Sequence, residues 1–215
     1  MTVPIKIDFV SDVSCPWCVI GLLALEQALA RAGDVVSADI HIQPFELNPQ
    51  MPPEGQDIAE HLTRKYGSTP AQLASNAEAI RARGEALGFE FRMDKRTRVY
   101  NTFDAHRLLH WASLEGRALP LKHALLRAYF TDGENPGNQE TLARRAGAVG
   151  LDVGRAREVL SSGEYAEAVR QQQLFYTQRG IHAVPAVIIN DRHLISGGQP
   201  VETFEHALRQ FAAAA

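Results

Sequence analysis

Cys15 and Cys18 are the only two cysteines in 215 residues, and they stand three apart in the segment Cys15-Pro16-Trp17-Cys18. A pair at this spacing can work as a dithiol: one thiol, ionised and reachable, attacks a disulfide, and the second releases the mixed disulfide that forms. The geometry follows if the segment opens a helix, because residues i and i+3 then share a face. Cys15 would stand at the helix N-terminus, where unpaired N–H groups and the positive end of the dipole favour a thiolate. Cys18, one turn inward, would be more shielded. Cys15 is therefore the expected nucleophile and Cys18 the expected resolving thiol. Thiols in such settings have pKa values of roughly 3.5 to 7.5. A bridge closing so short a loop would add little stability, so the pairing points to chemistry. The competing reading is half of a zinc site, which would need two further ligands from the histidines or acids. His106 and His110 have a chelating spacing but lie far along the chain, and no metal is expected.

The elements around the pair fit this placement. Ile5, Ile7, Phe9 and Val10 mark a strand over 5–10. Trp17, Ile20, Leu23, Ala24 and Ala28 then recur at helical period up to Gly33, with Pro16 suited to the first turn. Residues 38–45 alternate again, so a βαβ unit with parallel strands is expected and the cysteines fall at its strand-to-helix junction. A Pro-rich connector occupies 46–55. The stretch to 180 reads as about six helices, over 69–87, 97–114, 119–130, 139–148, 154–160 and 165–178. Val184 to Ile189, a two-residue turn at Asn190-Asp191, and His193 to Ser196 predict a hairpin. Gly197-Gly198 precede a last amphipathic helix over 201–211. The order is β-α-β, helices, β-β-α: an α/β, thioredoxin-like arrangement with an all-helical insertion after the second strand. The expected division is 1–50 and 181–215 for the two parts of the thioredoxin-like unit, with 51–180 as the insertion.

Composition narrows the partners. A hydrophobic content of 45% is enough for a core, and a formal net charge of -3 gives no basic surplus to attract nucleic acid or an anionic membrane. The N-terminal residues lack the pattern of a secretory signal, and no apolar run reaches 18 residues. A cytoplasmic location is expected, where permanent disulfides are disfavoured.

Several stretches resemble one family. Ser14 to Cys18, Phe45-Glu46-Leu47-Asn48-Pro49 with Met51-Pro52-Pro53-Glu54-Gly55, Asn101 to Leu108, Val184-Pro185, and Ser196-Gly197-Gly198-Gln199-Pro200 are similar to the DsbA-like oxidoreductases of the FrnE type. The resemblance spans nearly the whole chain. It implies dithiol oxidoreductase or disulfide isomerase activity and a cis-proline at Pro185, whose loop packs on Cys15 and offers the backbone of Val184 to a substrate. Relatives in the superfamily include 2-hydroxychromene-2-carboxylate isomerases and kappa-class glutathione transferases, which carry serine in place of Cys15. Some FrnE-like proteins use further cysteines, which this chain lacks. In a reducing cytosol, reduction or isomerisation is expected rather than bulk oxidation.

Other residues have two readings each. Gly198-Gln199 is either a backbone anion site for a glutathione or peptide carboxylate at a helix start, or an ordinary glycine turn. His106 either lines a cleft between insertion and core, binding the same ligands, or packs. Trp17 stacks on substrate or covers the sulfur, and Pro16 and Trp17 tune the potential. Asp12 is read as a turn former. No tightly bound cofactor is expected, with glutathione open as a co-substrate. Expected partners are disulfide-containing proteins and small thiols or disulfides, with a homodimer open. A glutathione-dependent isomerase or transferase of small aromatic compounds, and a redox-switched binding module, are the alternatives.

Overall fold

The computed structural model describes residues 2–214. Strand β1 (Val3–Ser11) leads through a four-residue turn into helix α1 (Pro16–Arg31), and β2 (Val36–Pro44) returns parallel to β1, Val3 opposite Val36 and Ser11 opposite Pro44. Further along the chain, β5 (Ala186–Ile189) joins the other side of β1 in antiparallel sense and β6 (His193–Ser196) pairs with β5. The sheet order is thus β2-β1-β5-β6, and β1 is central. Strand β1 alternates at its start, with Ile5 and Ile7 buried about an exposed Lys6, and is buried throughout from Ile7 to Ser11, as a central strand covered on both faces should be. The buried Asp8 is 3.0 Å from the Lys6 ammonium and accepts a 2.7 Å hydrogen bond from the Gln43 side chain.

Between β2 and β5 lie helices α2 (Ile58–Tyr66), α3 (Pro70–Ala86), α4 (Phe103–Leu114), α5 (Ala118–Phe130), α6 (Gln139–Ala148), α7 (Val153–Ser161) and α8 (Ala166–Gln178), with α9 (Val201–Ala213) closing the chain. A two-residue ladder of β3 (Gln56–Asp57) and β4 (Arg98–Val99) ties the connector to the start of the helical run. One apolar cluster unites Ile7 and Phe9 of β1, Leu22 and Leu25 of α1, Phe204 and Leu208 of α9, and Leu126, Tyr129 and Phe130 of α5. A second lies among α4 to α7, and Val13 from the turn before α1 is part of it. The insertion therefore packs against the dithiol segment itself. No helix among the described residues is long and apolar enough to cross a membrane.

Three expectations are corrected. The insertion holds seven helices rather than about six: α2 fully buries no residue, its inward side being only half-buried Ile58, His61 and Leu62 over nine residues, and Asp57 caps it by accepting from Glu60 N at 2.9 Å. The helix expected from Thr97 starts at Phe103, because Arg98 and Val99 pair with Gln56 and Asp57. The terminal hairpin has a three-residue loop: Asn190 and Asp191 both take positive φ, Arg192 N bonds Ile189 O at 3.2 Å, and Arg192 bulges out so that Ile189 pairs with His193.

Long-range hydrogen bonds tie the sequence motifs together. Asn101 donates to the carbonyls of Pro49 and Met51 at 3.4 and 3.3 Å, fixing the connector to the start of α4. Arg107 bonds Asp104 at 2.8 Å and reaches the carbonyls of Val159, Ser162 and Glu164, closing the end of α7.

Candidate active site

Cys15 is the N-cap residue of α1, with extended φ and ψ, and Pro16 occupies the first turn. The chain turns into the helix by local bonds. Asp12 O accepts from Cys15 N, Asp12 Oδ1 accepts from Ser14 N at 3.2 Å, and Cys18 N donates to Cys15 O at 3.1 Å. Cys15 is 4% exposed and Cys18 is fully buried, and both are free thiols. Such a site is a narrow opening onto one sulfur.

Electrostatics separates the two thiols. Cys15 is held below its ordinary value, chiefly by the Cys18 thiol acting as donor to its sulfur, with the N–H groups of Cys18 and Trp17 adding, against burial and the Asp12 charge. Cys18 is pushed well above its ordinary value by burial and then by Cys15. Depth therefore distinguishes the two thiols: one sulfur sits among helix donors and its neighbour a turn below them.

The Val184–Pro185 peptide is cis, and in its thiol form Cys15 Sγ donates to the Val184 carbonyl at 3.7 Å. Gly21 on α1 lets this loop approach. A Cβ there would meet Pro185 Cγ at 2.9 Å and Gly198 Cα at 3.4 Å. Pro185 O in turn accepts from Gly197 N at 2.8 Å, and a Cβ on Gly198 would lie 3.0 Å from Trp17 O. Cys15, Trp17, Gly21, Val184, Pro185 and Gly198 thus form one surface. Trp17 is 37% exposed, with the Arg83 guanidinium of α3 5.1 Å from its ring centroid and bonded to Gly198 O at 3.4 Å. Gln199 folds its side-chain amide back onto Ser196 O at 2.7 Å.

Below the cysteines is a second group of polar residues. Asp12 is fully buried. Its Oδ2 accepts from Leu47 N at 2.8 Å, and its Oδ1 stands 3.4 Å from His106 Nε2 without hydrogen-bond alignment. Burial alone would raise its pKa, but the His106 imidazole, Leu47 N–H and the Lys122 ammonium outweigh that and hold it at about 2. Lys122, on α5, is completely buried, and burial lowers it against the pull of Cys18, Asp12 and Cys15. Half-buried Glu46 is raised by burial, partly offset by His106 and by the 3.2 Å bond from Gln173.

His106 is thus brought to Asp12, while Gly198 and Gln199 stand against Trp17 and Ser196. It also lines a cavity of about 330 Å³ between β2 and helices α4, α5 and α8, together with His110 and Gln172. His110 Nδ1 lies 3.3 Å from Gln172 Oε1. No group of three or more metal-ligating side chains occurs among the described residues. Sequence reasoning passed over Lys122, Gly21 and Arg83. Gly21 carried a signal, since a glycine inside a helix is unfavourable unless something approaches it closely. Lys122 carried none.

A DSBA-like thioredoxin domain model matches residues 6–209. The chain belongs to that family. Among its relatives the DsbA-like chain is 28% identical over 209 residues to the uncharacterized protein YwbO of Bacillus subtilis, covering 97% of this chain and 96% of that one. It is also similar to the crystal structure of a probable DsbA oxidoreductase from Streptomyces coelicolor, 33% identical with a TM-score of 0.91, covering 98% of this chain and 90% of the other. The cytosolic disulfide reductase DsbM of Pseudomonas aeruginosa, in a structure with GSH, shares the fold at 18% identity and a TM-score of 0.66, with 97% and 99% coverage.

Proposed function

We propose that this DsbA-like protein is a thiol–disulfide oxidoreductase that reduces or isomerises disulfides through Cys15 and Cys18. The observation that carries the reading is the Cys15 sulfur at the mouth of α1, 3.7 Å from Val184 O, with the Cys18 thiol buried behind it. The Cys15 thiolate attacks one sulfur of a substrate disulfide. A Cys15–substrate S–S bond forms, the substrate's own S–S bond breaks, and the second substrate sulfur leaves as a thiolate that takes up a proton. Cys18 then attacks Cys15 Sγ, closing the Cys15–Cys18 disulfide and releasing the first substrate sulfur. An external thiol must return the pair to the dithiol form for reduction to continue. The backbone of Val184 lies where an extended substrate can pair with it, and the half-open Trp17 borders the entrance.

Glutathione suits the role of external thiol. The DsbM relative is described as a cytosolic reductase and its structure contains GSH, which supports both a cytosolic setting and this donor. Arg83 beside Trp17 and the Gly198-Gln199 turn offer positive charge and backbone to a carboxylate. Rates of iodoacetamide alkylation against pH test the reading first: Cys15 should react as a thiolate at neutral pH, faster than a free cysteine. Insulin reduction driven by dithiothreitol should be lost in Cys15→Ser, and Cys18→Ser should trap the mixed disulfide. Full activity of Cys18→Ser on a small aromatic substrate with glutathione would overturn dithiol cycling in favour of glutathione-dependent isomerase chemistry.

A further inference from the structure

Strand β2 is an edge of the four-stranded sheet, with β1 on one side of it and no strand on the other. Its outer edge runs along the cavity of about 330 Å³ described above: every residue from Asp39 to Pro44 lines it, opposite Leu109 and His110 of α4, Leu119 of α5 and Gln172 of α8. Two bonds at the strand's ends fix which way its backbone groups point. Val35 O accepts from Val3 N, and Phe45 N donates to Ser11 O, so the odd-numbered residues turn their N–H and C=O toward β1. Ile40 and Ile42 therefore turn theirs outward, and among the described residues no protein group hydrogen-bonds them. Pro44 agrees with this phase, since a proline fits a strand where its missing N–H faces away from the ladder. The cavity wall thus carries the N–H groups of Ile40 and Ile42 and the carbonyls of Ile40, Ile42 and Pro44, at strand spacing. Both isoleucines are half-buried, and backbone groups withdrawn from water call for partners.

We propose that this edge binds an extended, uncharged segment of another polypeptide, which adds to the sheet as a further strand beside β2. At about 3.3 Å per residue the edge from Ile40 to Pro44 runs roughly 13 Å, room for about four residues of extended chain. A chain laid there meets the free donors and acceptors with every second residue. Charge selects the segment. Asp39 is the one carboxylate lining the cavity and is already met by His41 Nε2 at 2.9 Å, and no lysine or arginine lines it. Ile42, Leu109 and Leu119 receive apolar side chains, and His110 and Gln172 receive polar ones. A second copy cannot bring its own β2 to this edge, because the helices that flank one edge flank the other. His106 lines the cavity and stands 3.4 Å from Asp12, so a segment held here lies beside the turn that carries the dithiol. The site is distinct from the Val184 backbone, and the proposal does not rest on the thiol chemistry.

The test is amide hydrogen exchange by NMR on the full chain, alone and with the capped peptide acetyl-Thr-Val-Ser-Val-Thr-amide. In the free protein the Ile40 and Ile42 amides should exchange faster than those of His41 and Gln43, which bond β1. Added peptide should shift the Ile40 and Ile42 signals and slow their exchange. Two isomers of the peptide, each with two N-methyl groups, separate strand addition from simple adhesion. Methyls on the second and fourth residues leave one edge of the peptide intact, and this isomer should bind like the parent. Methyls on the second and third residues interrupt both edges, and affinity should fall by about fivefold or more, the worth of at least one backbone hydrogen bond. Ser113→Trp, at the exposed rim of the cavity, should abolish the shifts. The isomer comparison needs no variant and stands if Ser113→Trp does not fold. Slow exchange at Ile40 and Ile42 before peptide is added, shifts confined to Trp17 and Val184, equal binding of the two isomers, or binding that survives in folded Ser113→Trp each overturns the proposal. A chain that failed to reduce any disulfide would leave all of these results unchanged.

Discussion

Cys15 and Cys18 owe their arrangement to a few consecutive residues: the Asp12–Ser14 turn, Pro16 in the first helical turn, and the Cys18 N–H returning to Cys15 O. Beneath them, His106 and Lys122 arrive from α4 and α5, helices whose placement depends on the packing of the whole insertion. The upper region carries the reactive sulfur on local hydrogen bonds, and the lower region holds charge in a dry interior. A local construction is legible and tolerant. A buried polar group assembled from distant helices is neither, because every member depends on the others for charge balance.

Removing the centre of the lower region should have the largest effect. In Asp12→Asn the buried carboxylate that accepts from Ser14 N and Leu47 N and lies 3.4 Å from His106 Nε2 is lost, and stability should fall by about 3 to 5 kcal/mol, the scale for breaking up a buried charge and its partners. Urea denaturation measures it. The same carboxyl sets an acid limit. Its folded value of about 2 lies below the ordinary 3.8, so it contributes stability that is complete above its unfolded value and is lost as pH falls through the folded one. That contribution is about 2 kcal/mol. Urea midpoints followed from roughly pH 5 to pH 2 should drop more steeply in the wild type than in Asp12→Asn.

Arg107 separates the insertion's architecture from its charge. It neighbours His106 in sequence yet serves the end of α7, and Arg107→Met should cost about 3 kcal/mol by leaving buried carbonyls without a donor. Insulin reduction per folded molecule should be unchanged, whereas a selective loss of it would blur the division drawn here. Gly21→Ala probes the upper region. An open helical glycine gains about 1 kcal/mol from this change. Here the methyl meets Pro185 Cγ at 2.9 Å, so the gain should be cancelled and insulin reduction should slow severalfold as the loop shifts. The smallest effect should come from Thr69→Ala, which removes the capping box with Gln72 at the start of α3. About 1 kcal/mol should be lost, read from the thermal midpoint, with turnover untouched.

The same contrast explains what the sequence made readable. The βαβ start, the cysteine pair and the terminal hairpin rest on short-range periodicity and turn chemistry, and only their edges moved. Asp12 was read as a turn former and its Oδ1 does accept from Ser14 N, but its other oxygen and its neighbours come from Leu47, α4 and α5. Lys122 lies between Leu121 and Leu125 on a helix whose pattern predicts nothing polar inside, and lysine is almost never buried. Helix α2 is hard to read for the opposite reason, its inward side being a short, half-buried stripe of Ile58, His61 and Leu62.

The reactive sulfur and the carbonyl that faces it, Val184 O, are separated by 169 residues of chain. At a synthesis rate of about 5 to 20 residues per second, the ribosome makes Cys15 roughly 8 to 34 s before Val184. For that interval the emerging chain carries its dithiol with no loop above it and no α5 beneath it. The nascent dithiol is therefore open to any disulfide or oxidant it meets before the loop that borders Cys15 in the folded protein has been made.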